Sequence, residues 1–482
     1  MAKLIIRRGE SFREVDFIAP MQLRRVLEAH GAVVIHPCGG RGTCGKCAVE
    51  LKGMVSPPNA AEIAAGMRLS CQAELLGDAE VILPELPEDM QVETAILSPL
   101  SHQGKMQGTG VAIDIGTTTI AMTAHDLATG KILCKGGMLN PQTEIAADVM
   151  GRIGAALEGK SEIMQKQVED AILSLLQDVT PDSMVITGNT TMLYLLTGRN
   201  PDCLSHAPFQ ADELFGISYE IAKSIAYLPR CMNAFVGADI TCAVLASGMC
   251  EKEEASLLCD IGTNGEIALW KDGKLYVTST AAGPAFEGAG ISCGCGSIPG
   301  AIDKVWVENG KVKIHTIGEA TATGLCGSGV IDTIAALLET EDIDETGAMD
   351  EDSFTLAENV EFLPKDVRAV QLAKAAIAAG IKTLLSSANV SSDEIETLYI
   401  AGGFGSHLNV ESGVRIGLIP EELADKVKII GNASLAGAAQ ILLNPDDRRK
   451  ADAIALESEH VNLGGNPLFN ENYMEEMFFP EE

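Results

Sequence analysis

Apolar and polar positions alternate along Lys3–Arg8 and Glu14–Ile18 around a Gly-Glu-Ser turn. They change to helical spacing at Leu23, Val26 and Leu27 within Met21–His30, so the chain opens strand, strand, helix. Further on, one apolar pattern occurs twice. Val111–Met122, VAIDIGTTTIAM, and Leu257–Leu269, LLCDIGTNGEIAL, each run an apolar strand into Asp-Ile-Gly-Thr and leave through a second apolar strand. After the first copy the pattern predicts a strand reaching Asn140, helices near Ile145–Leu157 and Ile163–Gln177, and a strand at Met184–Ile186. After the second it predicts a strand at Leu275–Thr280, a helix from Gly327 to about Leu338, a long helix over Val367–Ala388 and a strand at Leu398–Ala401. An apolar helix opening after Phe235 is the natural crossover between the two halves. Val427–Gly431 and Ala433–Leu443 give a last strand and a helix closing the second half. The acidic run Glu339–Asp352 is most simply a solvated loop.

At 482 residues the chain suggests two to four domains, and an apolar content of 46% is ample for their cores. The 67 acidic against 35 basic residues give a net charge of -32, which argues against nucleic acid or an anionic membrane surface as partner. No window approaches eighteen uninterrupted apolar residues, and MAKLIIRRGE lacks a signal-peptide core, so the expectation is no membrane insertion and a cytoplasmic location. Thirteen cysteines in that compartment predict a metal cofactor plus scattered thiols rather than disulfides.

Four of those cysteines are Cys38, Cys44, Cys47 and Cys71, spaced C-x5-C-x2-C-x23-C. Thiolates so placed can bind a [2Fe–2S] cluster, the close trio from one glycine-rich loop and the fourth from across the fold. A structural zinc site usually presents two C-x2-C pairs, and here there is one. Residues 1–88 resemble the plant and vertebrate-type ferredoxins, a β-grasp fold. Residues 89–109, with Ser98-Pro99, Ser101-His102-Gln103-Gly104 and Gly108, make a poor strand and a poor helix and read as a linker, either passive or one that lets the ferredoxin swing between electron donor and acceptor.

The duplicated hairpins carry the other chemistry. Each puts a carboxylate, Asp114 or Asp260, at a strand end beside a turn whose glycine, Gly116 or Gly262, lets backbone N–H groups approach an oxyanion. Thr117, Thr118, Thr119, Thr263 and Asn264 add polar groups. Facing one another, two such hairpins would hold a polyphosphate and its Mg²⁺. The run Gly402-Gly403-Phe404-Gly405 offers backbone for a flat ring, an adenine site. Asp239 could orient the attacking water or cap its helix.

Hairpin, hairpin and glycine turn in this order resemble the ATPases that include acetate and sugar kinases, Hsp70 and actin, with two ribonuclease-H-like α/β lobes, expected at 110–234 and 235–482. The fold class is therefore α+β multidomain: a β-grasp [2Fe–2S] ferredoxin, then a two-lobed α/β ATPase. The strings FVGADI, DIGTNGEIAL, AAGPAFEGAGIS, GLCGSGVID, VQLAKAAI, AGGFG and GNASLAGA, behind a ferredoxin, are similar to the reductive activators of corrinoid-dependent methyltransferase systems. That resemblance implies ATP-dependent reduction of an inactive Co(II) corrinoid protein to Co(I), the electron coming through the cluster from a donor such as a ferredoxin or flavoprotein. A plant-type cluster lies near about -400 mV, and the resemblance puts the cobalt couple lower. Each 100 mV uphill costs about 2.3 kcal/mol per electron, which nucleotide binding can cover by favouring one conformation. Some members of the family carry an additional domain where this chain has only the short linker. Oligomeric state, a homodimer included, and the methyl donor system stay open.

Rival readings are a ferredoxin-fused small-molecule kinase with Asp114 or Glu287 as base, an activator of a radical dehydratase, and an ATP-sensing electron carrier or scaffold. The complete cysteine quartet speaks against the second, whose relatives share a [4Fe–4S] cluster between subunits. Cys293 and Cys295 form a C-x-C, a redox pair or small thiols in a tight loop. Cys134, Cys203, Cys231, Cys242, Cys250, Cys259 and Cys326 read as core. Asn140, Gln142, Asp148 and Arg152 either order the cleft or cap and bridge a helix.

Overall fold

The computed structural model describes residues 2–8, 11–30, 32, 34, 47–65, 67–83, 94, 104, 106–176, 179–221, 224–403 and 407–481. Cys38, Cys44, Phe404, Gly405 and most of the expected linker lie outside them. The chain divides into two compact units: Met1–Asp89 with Pro141–Gln167, and Met90–Asn140 with Val168–Glu482.

The first unit is built on strands β1 (Ala2–Arg8), β2 (Ser11–Phe17), β3 (Met21–Gln22), β4 (Ala48–Val55), β5 (Arg68–Leu69) and β6 (Glu74–Ile82). Their order is β2-β1-β6-β4-β5 with β3 on β6, the β1–β6 pair parallel and its neighbours antiparallel. Helix α1 (Leu23–Ala29) buries Leu23, Val26 and Leu27 against Leu4, Ile6, Leu75 and Val81, so the expected period becomes the core of a β-grasp. Short helix α2 (Ala60–Ala65) follows β4. The same unit includes α3 (Val149–Ala155) and the start of α4 (Ser161–Leu176), which the sequence pattern assigns to the first lobe. Within this unit Arg24 of α1 donates to the Glu144 carbonyl at 2.7 Å. A π-helical turn at Ala156–Lys160, with Gly159 at φ 92°, separates α3 from α4.

The second unit contains two sheets of one design. In the first, β7 (Thr109–Ile115), β8 (Thr119–Asp126) and β9 (Ile132–Leu139) form an antiparallel meander, and β10 (Ser183–Gly188) adds in parallel beside β7, reaching α5 (Thr190–Leu196). Strands β11 (Ile217–Ile221) and β12 (Ser224–Leu228) complete the order β11-β12-β10-β7-β8-β9. After α6 (Ala238–Ser247), β13 (Ala255–Ile261), β14 (Gly265–Lys271) and β15 (Lys274–Thr280) repeat the meander. Between β15 and the rest of this sheet come β16 (Ala301–Glu308), β17 (Lys311–Thr316), β18 (Gly324–Leu325), α7 (Gly327–Glu339), the hairpin β19 (Phe354–Ala357) and β20 (Val360–Phe362), and α8 (Pro364–Ala388). Strands β21 (Ile395–Ala401) and β22 (Val427–Gly431), separated by α9 (Val410–Arg415), then add in parallel beside β13. The shared order, β9-β8-β7-β10-β12 and β15-β14-β13-β21-β22, is the sequence repeat expressed as topology.

Helix α10 (Ala433–Leu443) departs from the sequence pattern. It packs on β7 and β10 of the first sheet and against α6, rather than closing the second lobe. Gly437 permits this, because a Cβ there would stand 2.0 Å from the Cys242 carbonyl oxygen of α6. The chain ends in α11 (Asp447–Glu457), β23 (Ser458–His460) beside β15, and α12 (Pro467–Glu475) against α8. Helix α8 is long and apolar enough to cross a membrane, but 78% of its apolar window is buried against the rest of the protein, as in a core helix. The acidic loop after α7 is not merely solvated: Ile343 is buried, and the Glu345 carbonyl accepts from Phe479 N at 2.8 Å, pinning the C-terminal residues.

Candidate functional site

Two sites emerge, one in each unit. In the first, Ala48 of β4 pairs with Leu69 of β5, so the residues flanking that pair, Cys47 and Cys71, come together. Both are buried, and their sulfurs lie 3.2 Å apart without a disulfide. Buried Glu62 steadies this corner by accepting from Leu69 N and Asn59 N, each at 3.0 Å, while Arg68 pairs with it at 2.9 Å. Two thiolates about 2.3 Å from one tetrahedral metal ion would be about 3.8 Å apart, so the pair fits joint ligation of one iron. The Cys71 thiol, then burial, push the Cys47 thiol well above its ordinary range, a crowding that a shared metal relieves. Cys38 and Cys44 would complete the set.

In the second unit a cleft of about 350 Å³ lies between the two sheets' hairpins. Asp114, Gly116, Thr117, Thr118 and Thr119 line it from the first hairpin; Asp260, Gly262, Thr263 and Asn264 line it from the second; Asp239, Gly402 and Gly403 complete this part of the wall. The structure thus brings together the described members of the sequence-derived set. Burial raises Asp114 to about 6, opposed by the hydrogen bond from Asn432. Burial, then Asp114 and Asp260, raise Asp239 to about 8, and burial, Asp114 and Glu287 raise Asp260 to about 7. Such mutual repulsion fits a divalent cation, which would let all of them ionise.

Several details differ from the sequence reading or decide between its alternatives. The N–H groups of Gly116 and Gly262 close their own turns, onto Thr119 O at 2.9 Å and Asn264 O at 3.0 Å, so these two donors are spent within the turns rather than turned to a ligand. Gly116 is required for packing, since a Cβ would meet Thr119 O at 2.9 Å. Asp239 is not the cap of its helix: Gly237 holds that position. Asn140 braces the first hairpin, donating to Gly116 O at 2.8 Å. Asp148 caps α3, and buried Arg152 donates to Ala146 O and Gln142, serving the scaffold. Cys134 is exposed on edge strand β9 rather than in a core, and Cys203 and Cys250 are half-buried. Cys295 lines the cleft, and the backbone of Cys293 and Cys295 pairs with Leu325 of β18.

Glu266 and Asn432 are among the cleft residues that the sequence reading missed. Glu266 of β14 is buried and lies between Asp260 and Ser279 of the neighbouring strands, accepting from Ser279 Oγ at 3.4 Å, and its only signal is a carboxylate inside the apolar strand GEIAL. Asn432 opens α10 and donates to Asp114 at 3.0 Å; its sequence separation leaves no local signal.

Family models tile the chain: a 2Fe-2S iron-sulfur cluster binding domain over residues 10–76, the RACo middle region over 109–252, and the C-terminal domain of RACo, the ASKHA domain, over 254–482. The corrinoid activation enzyme RamQ of Eubacterium limosum is 34% identical over 420 residues, 77% of this chain and 70% of that protein. The chain belongs to this family of reductive activators of corrinoid proteins. Within the activator family, the [Co(II) methylated amine-specific corrinoid protein] reductase of Methanosarcina barkeri is 25% identical over 417 residues, 77% of each chain. A solved reductive activator for corrinoid, iron-sulfur protein superposes with a TM-score of 0.71 at 27% identity, covering 100% of this chain and 98% of that one. The expected fold class, a [2Fe–2S] domain ahead of an ATPase of the Hsp70 and sugar-kinase type, is the one found, and with it the cofactors: an iron-sulfur cluster, ATP and Mg²⁺.

Proposed function

We propose that this activator hydrolyses Mg-ATP in the two-hairpin cleft to drive one electron onto the Co(II) centre of a corrinoid protein, restoring Co(I) for methyl transfer. The supporting observation is the coexistence in one chain of the Cys47–Cys71 pair and a nucleotide-sized cleft walled by buried carboxylates. When bound, the cluster supplies a one-electron carrier and Mg²⁺ neutralises phosphate charge.

The chain's own residues do the rest. Asp114 and Asp260 hold the metal directly or through water, and the hydroxyls of Thr117, Thr118, Thr119 and Thr263, with Asn264, face the phosphates. Gly402 and Gly403, with Phe404 and Gly405, offer backbone to the adenine. Asp239, the carboxylate raised furthest of the three aspartates, orients the attacking water and can accept its proton. On this reading the domains are a ferredoxin at 1–88, a linker at 89–109 and two ATPase lobes at 110–234 and 235–482, with Pro141–Gln167 of the first lobe grouping with the ferredoxin unit. The electron donor is a reduced ferredoxin or flavoprotein of the host.

Turnover of Mg-ATP measured with and without a Co(II) corrinoid protein tests this reading. Stimulation by the partner supports an activator. A hydrolysis rate indifferent to the partner, with phosphate transferred to a small hydroxylated acceptor, would replace it with a kinase.

A further inference from the structure

The cleft already holds an anion of its own. Glu287 accepts from Thr118 Oγ1 at 2.8 Å on one carboxylate oxygen and from Thr263 Oγ1 at 2.9 Å on the other. Thr118 belongs to the turn between β7 and β8, and Thr263 to the turn between β13 and β14. One carboxylate therefore ties together two loops from different lobes. It does so through two of the hydroxyls that the cleft has to offer a phosphate.

The backbone sets this carboxylate in place. Glu287 ends the 3-10 turn Pro284–Glu287, whose Phe286 is buried in the second lobe's core. The next residue, Gly288, has φ +73° and lies where a Cβ would stand 2.4 Å from the Cys295 carbonyl oxygen, so the turn is seated against the cleft wall. A second observation concerns charge. Among the described residues lining the cleft there is no Lys or Arg, and His407 alone could carry a positive charge. A phosphate chain entering beside Glu287 would meet a like charge that no protein cation offsets.

We infer that Glu287 is a placeholder anion: it occupies the Thr118 and Thr263 hydroxyls in the nucleotide-free cleft, and a polyphosphate must displace it to bind. The inference rests on the nucleotide reading above. Displacement lowers the apparent affinity by the fraction of molecules in which the carboxylate has withdrawn. It also gives the Pro284–Glu287 turn a position that depends on phosphate, since adenosine alone leaves the two hydroxyls with Glu287.

The test is calorimetric titration of the full-length protein, wild type, Glu287→Ala and Glu287→Gln, with adenosine, Mg-ADP and Mg-ATP. Both variants should bind Mg-ATP more tightly than wild type, by about tenfold for Ala if the carboxylate is in place about nine-tenths of the time. Adenosine affinity should stay unchanged. Should the Ala variant lose its near-ultraviolet circular dichroism, the isosteric Gln variant decides. Weaker or unchanged Mg-ATP binding overturns the inference and makes Glu287 a metal-holding or basic residue. An equal change for adenosine also overturns it, because a merely structural role moves all ligands together. Wild type that binds Mg-ATP no better than adenosine refutes the nucleotide reading itself, and this inference with it.

Discussion

Asn432 donates its side-chain N–H to Asp114 Oδ2 at 3.0 Å across 318 positions of sequence, while its own side-chain oxygen accepts from Leu435 N at 2.7 Å. One residue therefore caps α10 and steadies the carboxylate at the end of β7. Asn432→Ala should cost about 1 kcal/mol of stability through the lost cap. Its hydrogen bond also keeps Asp114 lower than burial alone would, so in the variant Asp114 should ionise at higher pH. The acid limb of the Mg-ATP hydrolysis profile should accordingly move to higher pH. A limb in the wild-type position would show that Asp114 does not govern it.

The cleft carboxylates also predict how stability responds to pH. Asp114, Asp260 and Asp239 sit at about 6, 7 and 8 in the folded chain, against about 3.9 when unfolded. The folded state then holds more protons between about pH 4 and 8, so this contribution is complete below that window and is lost as pH rises through 6 to 8. Without metal the melting temperature should be higher at pH 6 than at pH 8, and Mg-nucleotide should narrow the difference. Scanning calorimetry at the two pH values reads both effects.

Lys374 of α8 makes the opposite case. Its fully buried ammonium donates to the Phe478 carbonyl, lies 3.7 Å from Glu476 and stands 5.6 Å from the Phe479 ring centre, tying down the C-terminal residues. Burial pushes it down to about 8, partly offset by Glu476. The unfolded chain binds the extra proton between about pH 8 and 10.4, so this contribution to stability rises across that window. Lys374→Met should flatten the rise in urea unfolding curves and cost about 1–3 kcal/mol by stranding the Phe478 carbonyl. An unchanged slope would place the titration elsewhere.

How far the sequence could be read follows from the range of each interaction. The paired Asp-Ile-Gly-Thr turns and the cysteine spacing are local patterns, and the structure turns them into two sheets of equal strand order and a cleft between their hairpins. The α1 face was legible for the same reason, since Leu23, Val26 and Leu27 are a single helical stripe. What stayed hidden depends on distant partners. Gly437 fits α10 against the Cys242 carbonyl, Arg24 holds the Glu144 carbonyl, and Glu345 receives Phe479 from the far end of the chain. None of these residues carries a neighbouring sign of its partner. Glu266 is intermediate: a lone acid in an apolar strand is visible, but its meaning needs the cleft.

Cys47→Ser tests the cluster assignment. The substitution should bleach the visible absorption and the one-electron magnetic signal of the reduced [2Fe–2S] centre. Mg-ATP affinity should remain within roughly twofold of wild type, because the cleft belongs to a unit with its own core. A variant that keeps the full cluster spectrum would remove Cys47 from the ligand set.

The most direct measurement follows Co(I) formation spectroscopically when the reduced, full-length protein is mixed with a Co(II) corrinoid protein, with and without Mg-ATP, for wild type and Asp260→Ala. The account predicts that Co(I) accumulates with wild type and Mg-ATP, and falls by at least about tenfold, or 1.4 kcal/mol of driving force, when the nucleotide is withheld or Asp260 is replaced. Reduction to the same extent and at the same rate without ATP would contradict it, leaving the chain an electron carrier whose cleft has no energetic part in the transfer.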